Sequence, residues 1–118
     1  MATIDNLATA ALQHDALQTR ALAQDMLRTH RELRDVPPPD SRDPRVQSVA
    51  AALVELLAQR RSQAPPEWSA GFGPLSEPFH LLEAATRMPR LRAQCETESP
   101  LPLRKRNLYA PSNFLTFA

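Results

Sequence analysis

Arg104, Lys105 and Arg106 stand in a row within Leu103-Arg104-Lys105-Arg106-Asn107-Leu108-Tyr109, and no acidic residue follows Glu98. Cations set among apolar and aromatic side chains have a recognition chemistry. Guanidinium groups pair with carboxylates or phosphates, and neighbouring rings offer anchoring or stacking area. The apolar neighbours Leu101, Leu103 and Leu108 point to a protein contact, with Arg104, Lys105 and Arg106 against an acidic face and Tyr109 and Phe114 as anchors. The alternative is a small nucleic-acid-binding module, with the same cations on phosphates, Arg90 and Arg92 as helpers and Tyr109 for stacking. Arg90 and Arg92 fall about 200° apart on a helix, which favours the protein contact. A solvated surface without function is the plainest reading of all.

Catalysis finds less support. A nucleophilic Cys95 would need a base such as His80 held by a third group, and no local signature supplies one. Cys95 instead occupies a place for a small hydrophobe on a helix face. Glu96 and Glu98, or Asp40 and Asp43, lie in polar stretches with no apolar frame to raise a carboxyl pKa. His14, His30, His80 and Cys95 lack the spacing that puts two metal ligands on one helix face. Gly71 and Gly73 flank Phe72 in a Pro-bounded loop, the setting of a tight turn rather than of a phosphate loop. The expectation is a protein that is not an enzyme and has no catalytic, cofactor-binding or metal-binding residues.

The positioning elements follow from composition. At 118 residues, with 42% hydrophobic and 23% charged, the chain has the size and content of one globular domain spanning 1–118. A net charge of +1 excludes strong global attraction to nucleic acid or membranes, so any such binding is local. The start, Met1-Ala2-Thr3-Ile4-Asp5-Asn6, has no basic segment followed by an apolar one, and Cys95 has no disulfide partner. The expected compartment is the cytoplasm, with no membrane contact.

Twelve prolines against two glycines punctuate the chain, and apolar spacing between them is helical. The expected class is all-α: a helical hairpin of about 4–35 and 44–61, covered by a Pro-rich, aromatic-bearing region over 62–118. Ile4, Leu7, Ala11, Leu22, Met26 and Leu33 share one stripe of the first segment, with Asp15 intruding and Leu17 and Leu27 off it. A single long helix is favoured over a broken one, and its self-pairing in a homodimer is a further option. Asp43 caps the second helix with Pro44 at its first position. Val46, Val49, Ala50, Leu53, Leu56 and Leu57 form its apolar face, leaving Gln47, Ala51, Glu55 and Gln59 on the other side. Trp68 is expected as a structural anchor packed over that face. Short helices are expected near Pro78–Ala85 and Pro89–Glu98, the latter with Met88, Leu91 and Cys95 on one face, and a helical turn after Pro111.

Asp43-Pro44-Arg45 opening an Ala/Leu helix, Pro66-x-Trp68 after it, and Ser99-Pro100-x-Pro102-Leu103-Arg104-Lys105-Arg106-Asn107-Leu108 form an ordered set over about residues 43–118. This order resembles small bacterial proteins ending in an Ala-Pro-x-Pro-Phe-Arg-Arg-Arg-Gly-Ile-Phe-like tail. Some of those carry a helix-turn-helix and are encoded beside a minimal nucleotidyltransferase-like protein. The resemblance implies an antitoxin-like or operon-partner subunit whose cognate protein is nucleotidyltransferase-like. Here Leu103 stands in place of Phe and Asn107 in place of Gly, and no helix-turn-helix pattern precedes Asp43.

Overall fold

Thr3 and Asp15 each terminate a helix on its amino side. Thr3 Oγ1 accepts the Asn6 amide at 3.2 Å and opens α1 (Ile4–Leu12), and Asp15 Oδ1 accepts the Gln18 amide at 3.1 Å and opens α2 (Ala16–Thr29). Between them His14 adopts a φ of 58°, in the left-handed region. The continuous helix expected over 4–35 is therefore two helices. Asp15, an intruder on the apolar stripe, is the cap that starts the second. Ile4, Met26 and His30 line one cavity, so the start of α1 lies beside the end of α2. These coordinates come from a computed structural model that describes residues 3–117; Met1, Ala2 and Ala118, at the ends of the expected domain, lie outside the described residues.

Asp43 Oδ1 accepts the Arg45 amide at 2.9 Å, and with Pro44 at the first position this sets the start of α3 (Pro44–Arg60). Every residue from Ser48 to Ala58 is buried. The two-sided helix expected from its pattern is thus enclosed all round, and Ala51 and Glu55, assigned to the outer side, are inside. The physical reason is the run Val49 to Ala58, in which Glu55 alone is polar; a helix apolar on every side belongs in a core. Burial of Leu53, Leu56 and Leu57 contributes about 1.5–3 kcal/mol each. Leu7, Ala8 and Ala11 of α1 join them in one apolar cluster with Leu103, Leu108, Ala110 and Leu115 from the far end of the chain.

The covering region is held by specific polar ties. A short 3₁₀ helix at Glu67–Gly71 carries Trp68, whose ring packs on the core while its Nε1–H donates to the Val36 carbonyl at 2.8 Å. Phe79–His80 (β1) and Leu108–Tyr109 (β2) pair in parallel, Phe79 opposite Leu108 and His80 opposite Tyr109. A helix was expected near 78–85. Instead the Phe79 and Leu81 amides donate to the Asn107 and Tyr109 carbonyls at 3.0 and 2.9 Å, so a distant segment takes the donors a helix would have used. Only one 3₁₀ turn remains there, at Glu83–Thr86.

α4 (Pro89–Glu98) has the expected bounds. Of its proposed apolar face, Cys95 is buried and Leu91 half-buried, whereas Met88 is exposed. α5 (Leu101–Arg104) is a single turn, and after Pro111 the described residues make turns without a further helix. The class is all-α, with two two-residue strands among the described residues. No helix of the described residues is long and apolar enough to cross a membrane.

Candidate functional site

The basic triplet is divided by the geometry of the turn that bears it. Pro100 and Pro102 start α5, and the turn continues as the Arg106 amide donates to the Leu103 carbonyl at 2.9 Å and that of Asn107 to Arg104 at 3.0 Å. Residues three apart on such a turn share a side. Leu103 faces the core, so Arg106 points inward with it, while Arg104 and Lys105 point out.

Arg106 is 3% exposed and fully engaged. Its Nη1 and Nη2 donate to Glu55 Oε1 and Oε2 at 2.8 and 2.9 Å, the two-pronged geometry that guanidinium and carboxylate planes allow. Further donations reach the carbonyls of Phe72 at 3.1 Å, Ser69 at 2.8 Å and Pro102 at 3.3 Å. Lys105 Nζ lies 2.9 Å from the same Glu55 Oε1, with its side chain 48% exposed. Burial pushes the Glu55 carboxyl toward the neutral form, but the hydrogen bonds from Arg106 and Lys105 outweigh it and hold its pKa down at about 2.

The expected partner-binding set of Arg104, Lys105, Arg106, Tyr109 and Phe114 is therefore not one surface. Arg106 is a correction: it is an internal counter-ion, because Glu55 is buried and must be neutralised. The Tyr109 ring lies 5.4 Å from that of His80, and its hydroxyl donates to Asn107 Oδ1 at 3.0 Å, so Tyr109 is half-buried against its own chain. Phe114 packs on the core, and its carbonyl and that of Ser112 accept from Arg60 Nη2 at 3.0 and 2.7 Å. Only Arg104 and Lys105 of the five are exposed. Arg104 makes no ion pair among the described residues.

Asn107 adopts a φ of 67°, the left-handed conformation open to Gly and tolerated by Asn. Its amide group donates to the Leu75 carbonyl at 3.2 Å, and the Arg106 carbonyl accepts from the Leu75 amide at 3.1 Å. The basic turn is thereby tied to the loop before β1.

Cys95 is fully buried, and burial, followed by the charges of Glu98 and Glu96, raises its thiol pKa. The His80 imidazole is shifted down, first by burial and then by Arg92, against the opposing pull of Glu96. No hydrogen bond joins Cys95 to His80 among the described residues, and His80 Nδ1 is buried without a partner. Burial and the raised pKa disfavour the thiolate form of Cys95.

Sequence reasoning passed over Leu101, which named itself only as an apolar neighbour of the triplet. It is 60% exposed on α5 and lines an open groove of about 610 Å³. Pro102, Lys105, Pro65, Pro66, Glu67 and Glu55 are also in the lining. The available signal was the spacing Leu101–Arg104–Lys105: on one helical turn, positions three and four apart lie together.

No family model matches the chain, and no curated protein or solved structure matches it either.

Proposed function

We propose that the chain is a non-enzymatic partner-binding protein, an antitoxin-like or operon-partner subunit that docks a cognate protein through the α5 edge. The observation that carries this reading is Leu101, 60% exposed beside the exposed cations Arg104 and Lys105 on a turn fixed by the buried Glu55–Arg106 pair. A large apolar side chain held out on a rigid support costs solvation, and burial against a partner recovers it. The docking edge is thus Leu101, Arg104 and Lys105, in place of the wider set that included Arg106, Tyr109 and Phe114. Nucleic-acid binding is less well served, since Arg106 is spent on Glu55 and Tyr109 on His80 and Asn107. Cys95, buried and with its thiol pKa raised by that burial, supports a role without catalysis. A nucleotidyltransferase-like cognate protein and a cytoplasmic setting belong to the same reading.

The test is co-purification of the tagged full chain from its native cells, comparing wild type with Leu101→Asp/Arg104→Glu. The expected result is a stoichiometric protein partner that the double substitution removes while the melting temperature stays unchanged. Undiminished recovery of that partner refutes the docking edge.

A further inference from the structure

We infer that the recess between the start of α1 and the end of α2 binds a small organic cation, a protonated amine carried on a short hydrocarbon. The recess encloses about 230 Å³ and shares no lining residue with the groove beside α5. Ile4, Met26 and Val36, all buried, line it together with the exposed Pro37 and Pro38. Apolar walls that run from the core to the surface offer hydrocarbon a place out of water. The loop wall is braced before any ligand arrives. The Trp68 Nε1–H holds the Val36 carbonyl at 2.8 Å, and the Asp5 carboxylate accepts the Asp40 and Ser41 amides at 2.9 and 3.4 Å. The prolines between those ties fix their own φ, so little ordering is left for a ligand to impose.

The charge of the lining is one-sided. Asp5 and Asp40 contribute carboxylates, and no lysine or arginine stands among the described lining residues. Asp5 is engaged by the two loop amides and sits in the first turn of α1, where the positive end of the helix answers its charge. The Asp40 carboxylate accepts no hydrogen bond and joins no ion pair among the described residues. His30, also in the lining, makes no side-chain hydrogen bond there, and a neutral imidazole has one nitrogen that accepts. An ammonium group supplies both the missing charge and the N–H donors, whereas an anion would meet two carboxylates. Size narrows the choice further. A cavity of roughly 150 Å³ holds a benzene ring, so one of about 230 Å³ takes about nine non-hydrogen atoms, the size of phenethylamine.

The experiment titrates the methyl-labelled full chain with phenethylammonium and follows it by NMR. The methyl signals of Ile4, Met26 and Val36 should shift and saturate, with a dissociation constant below about 1 mM. Phenethyl alcohol, alike in shape but uncharged, should bind at least about tenfold more weakly, and phenylpropionate should not bind. Asp40→Asn should weaken phenethylammonium about tenfold, the loss of one charge-assisted hydrogen bond, at an unchanged melting temperature. Glu77→Gln removes the same charge at an exposed position outside the lining and should leave affinity unchanged. The inference is overturned by the absence of saturable shifts, by shifts confined to other methyls, or by equal affinity for the alcohol or the acid. Asp40→Asn binding as tightly as wild type would overturn it too. Tighter binding of acetyl-lysine methylamide, a protein side chain in miniature, would overturn it in favour of a peptide occupant.

Discussion

Replacing Arg106 by Met tests whether the basic turn is a structural plug before it is anything else. Five hydrogen bonds vanish, two of them to Glu55, and the carboxylate, 9% exposed, retains Lys105 as its sole cation. Breaking a buried ion pair on one side costs about 3–5 kcal/mol; the surviving lysine puts this case at the lower end, about 3 kcal/mol. An unfolding entropy of about 2.1 cal/mol/K per residue gives roughly 0.25 kcal/mol/K for a chain of this length, so the midpoint should drop about 12 °C. Urea and thermal unfolding followed by circular dichroism supply both numbers. Glu55→Leu combined with Arg106→Met should recover most of the loss, because the double change leaves no buried charge to solvate. Arg104→Ala, at the solvent face, should shift stability by less than about 0.5 kcal/mol. The reasoning is refuted if Arg106→Met costs less than about 1 kcal/mol, or if the double substitution is no more stable than Arg106→Met alone.

Three further outcomes follow from the same structure. The Glu55 carboxyl sits at about 2 in the fold against an ordinary 4.5, so the unfolded chain binds the extra proton between those values; stability present above about pH 4.5 should decline by about 3 kcal/mol as pH falls toward 2, and Glu55→Gln should flatten that part of the curve in acid titrations of unfolding free energy. Asn107→Val should be less stable than Asn107→Gly by about 1–2 kcal/mol in urea melts, because a branched side chain resists the φ of 67° that Gly accepts freely; equal losses would contradict a left-handed turn. Native protein should leave Cys95 unlabelled by a colorimetric disulfide reagent at pH 8, with one thiol appearing on addition of denaturant; prompt native labelling would contradict its burial and raised pKa.

The helix boundaries at Asp43–Pro44 and Pro89 were legible because capping and proline geometry act locally. The break at His14 was legible only in part. Asp15 on an apolar stripe announced a conflict, but its resolution as a cap depends on a left-handed residue that no periodicity records. The pairing of β1 with β2 was hidden for a different reason: two residues are too few to show alternation, and their hydrogen bonds come from a segment about thirty positions away. Arg106 was misjudged together with Glu55. Neither residue is anomalous within its own neighbourhood; Glu55 reads as the outer side of a helix and Arg106 as part of a solvated run. The Val49–Ala58 stretch did contain the clue, since so apolar a helix has no outer side and the acid within it demands a cation.

The separation between Glu55 and Arg106 has a consequence for biosynthesis. Fifty-one positions divide them, and at about 5–20 residues per second a ribosome takes roughly three to ten seconds to travel that far. During that interval the emerging α3 holds an acid with no mate, and the apolar cluster lacks Leu103, Leu108 and Leu115. A chain released early, short of its basic turn, would display a greasy helix to holdase chaperones and proteases, so synthesis of the basic turn and concealment of that helix are one event.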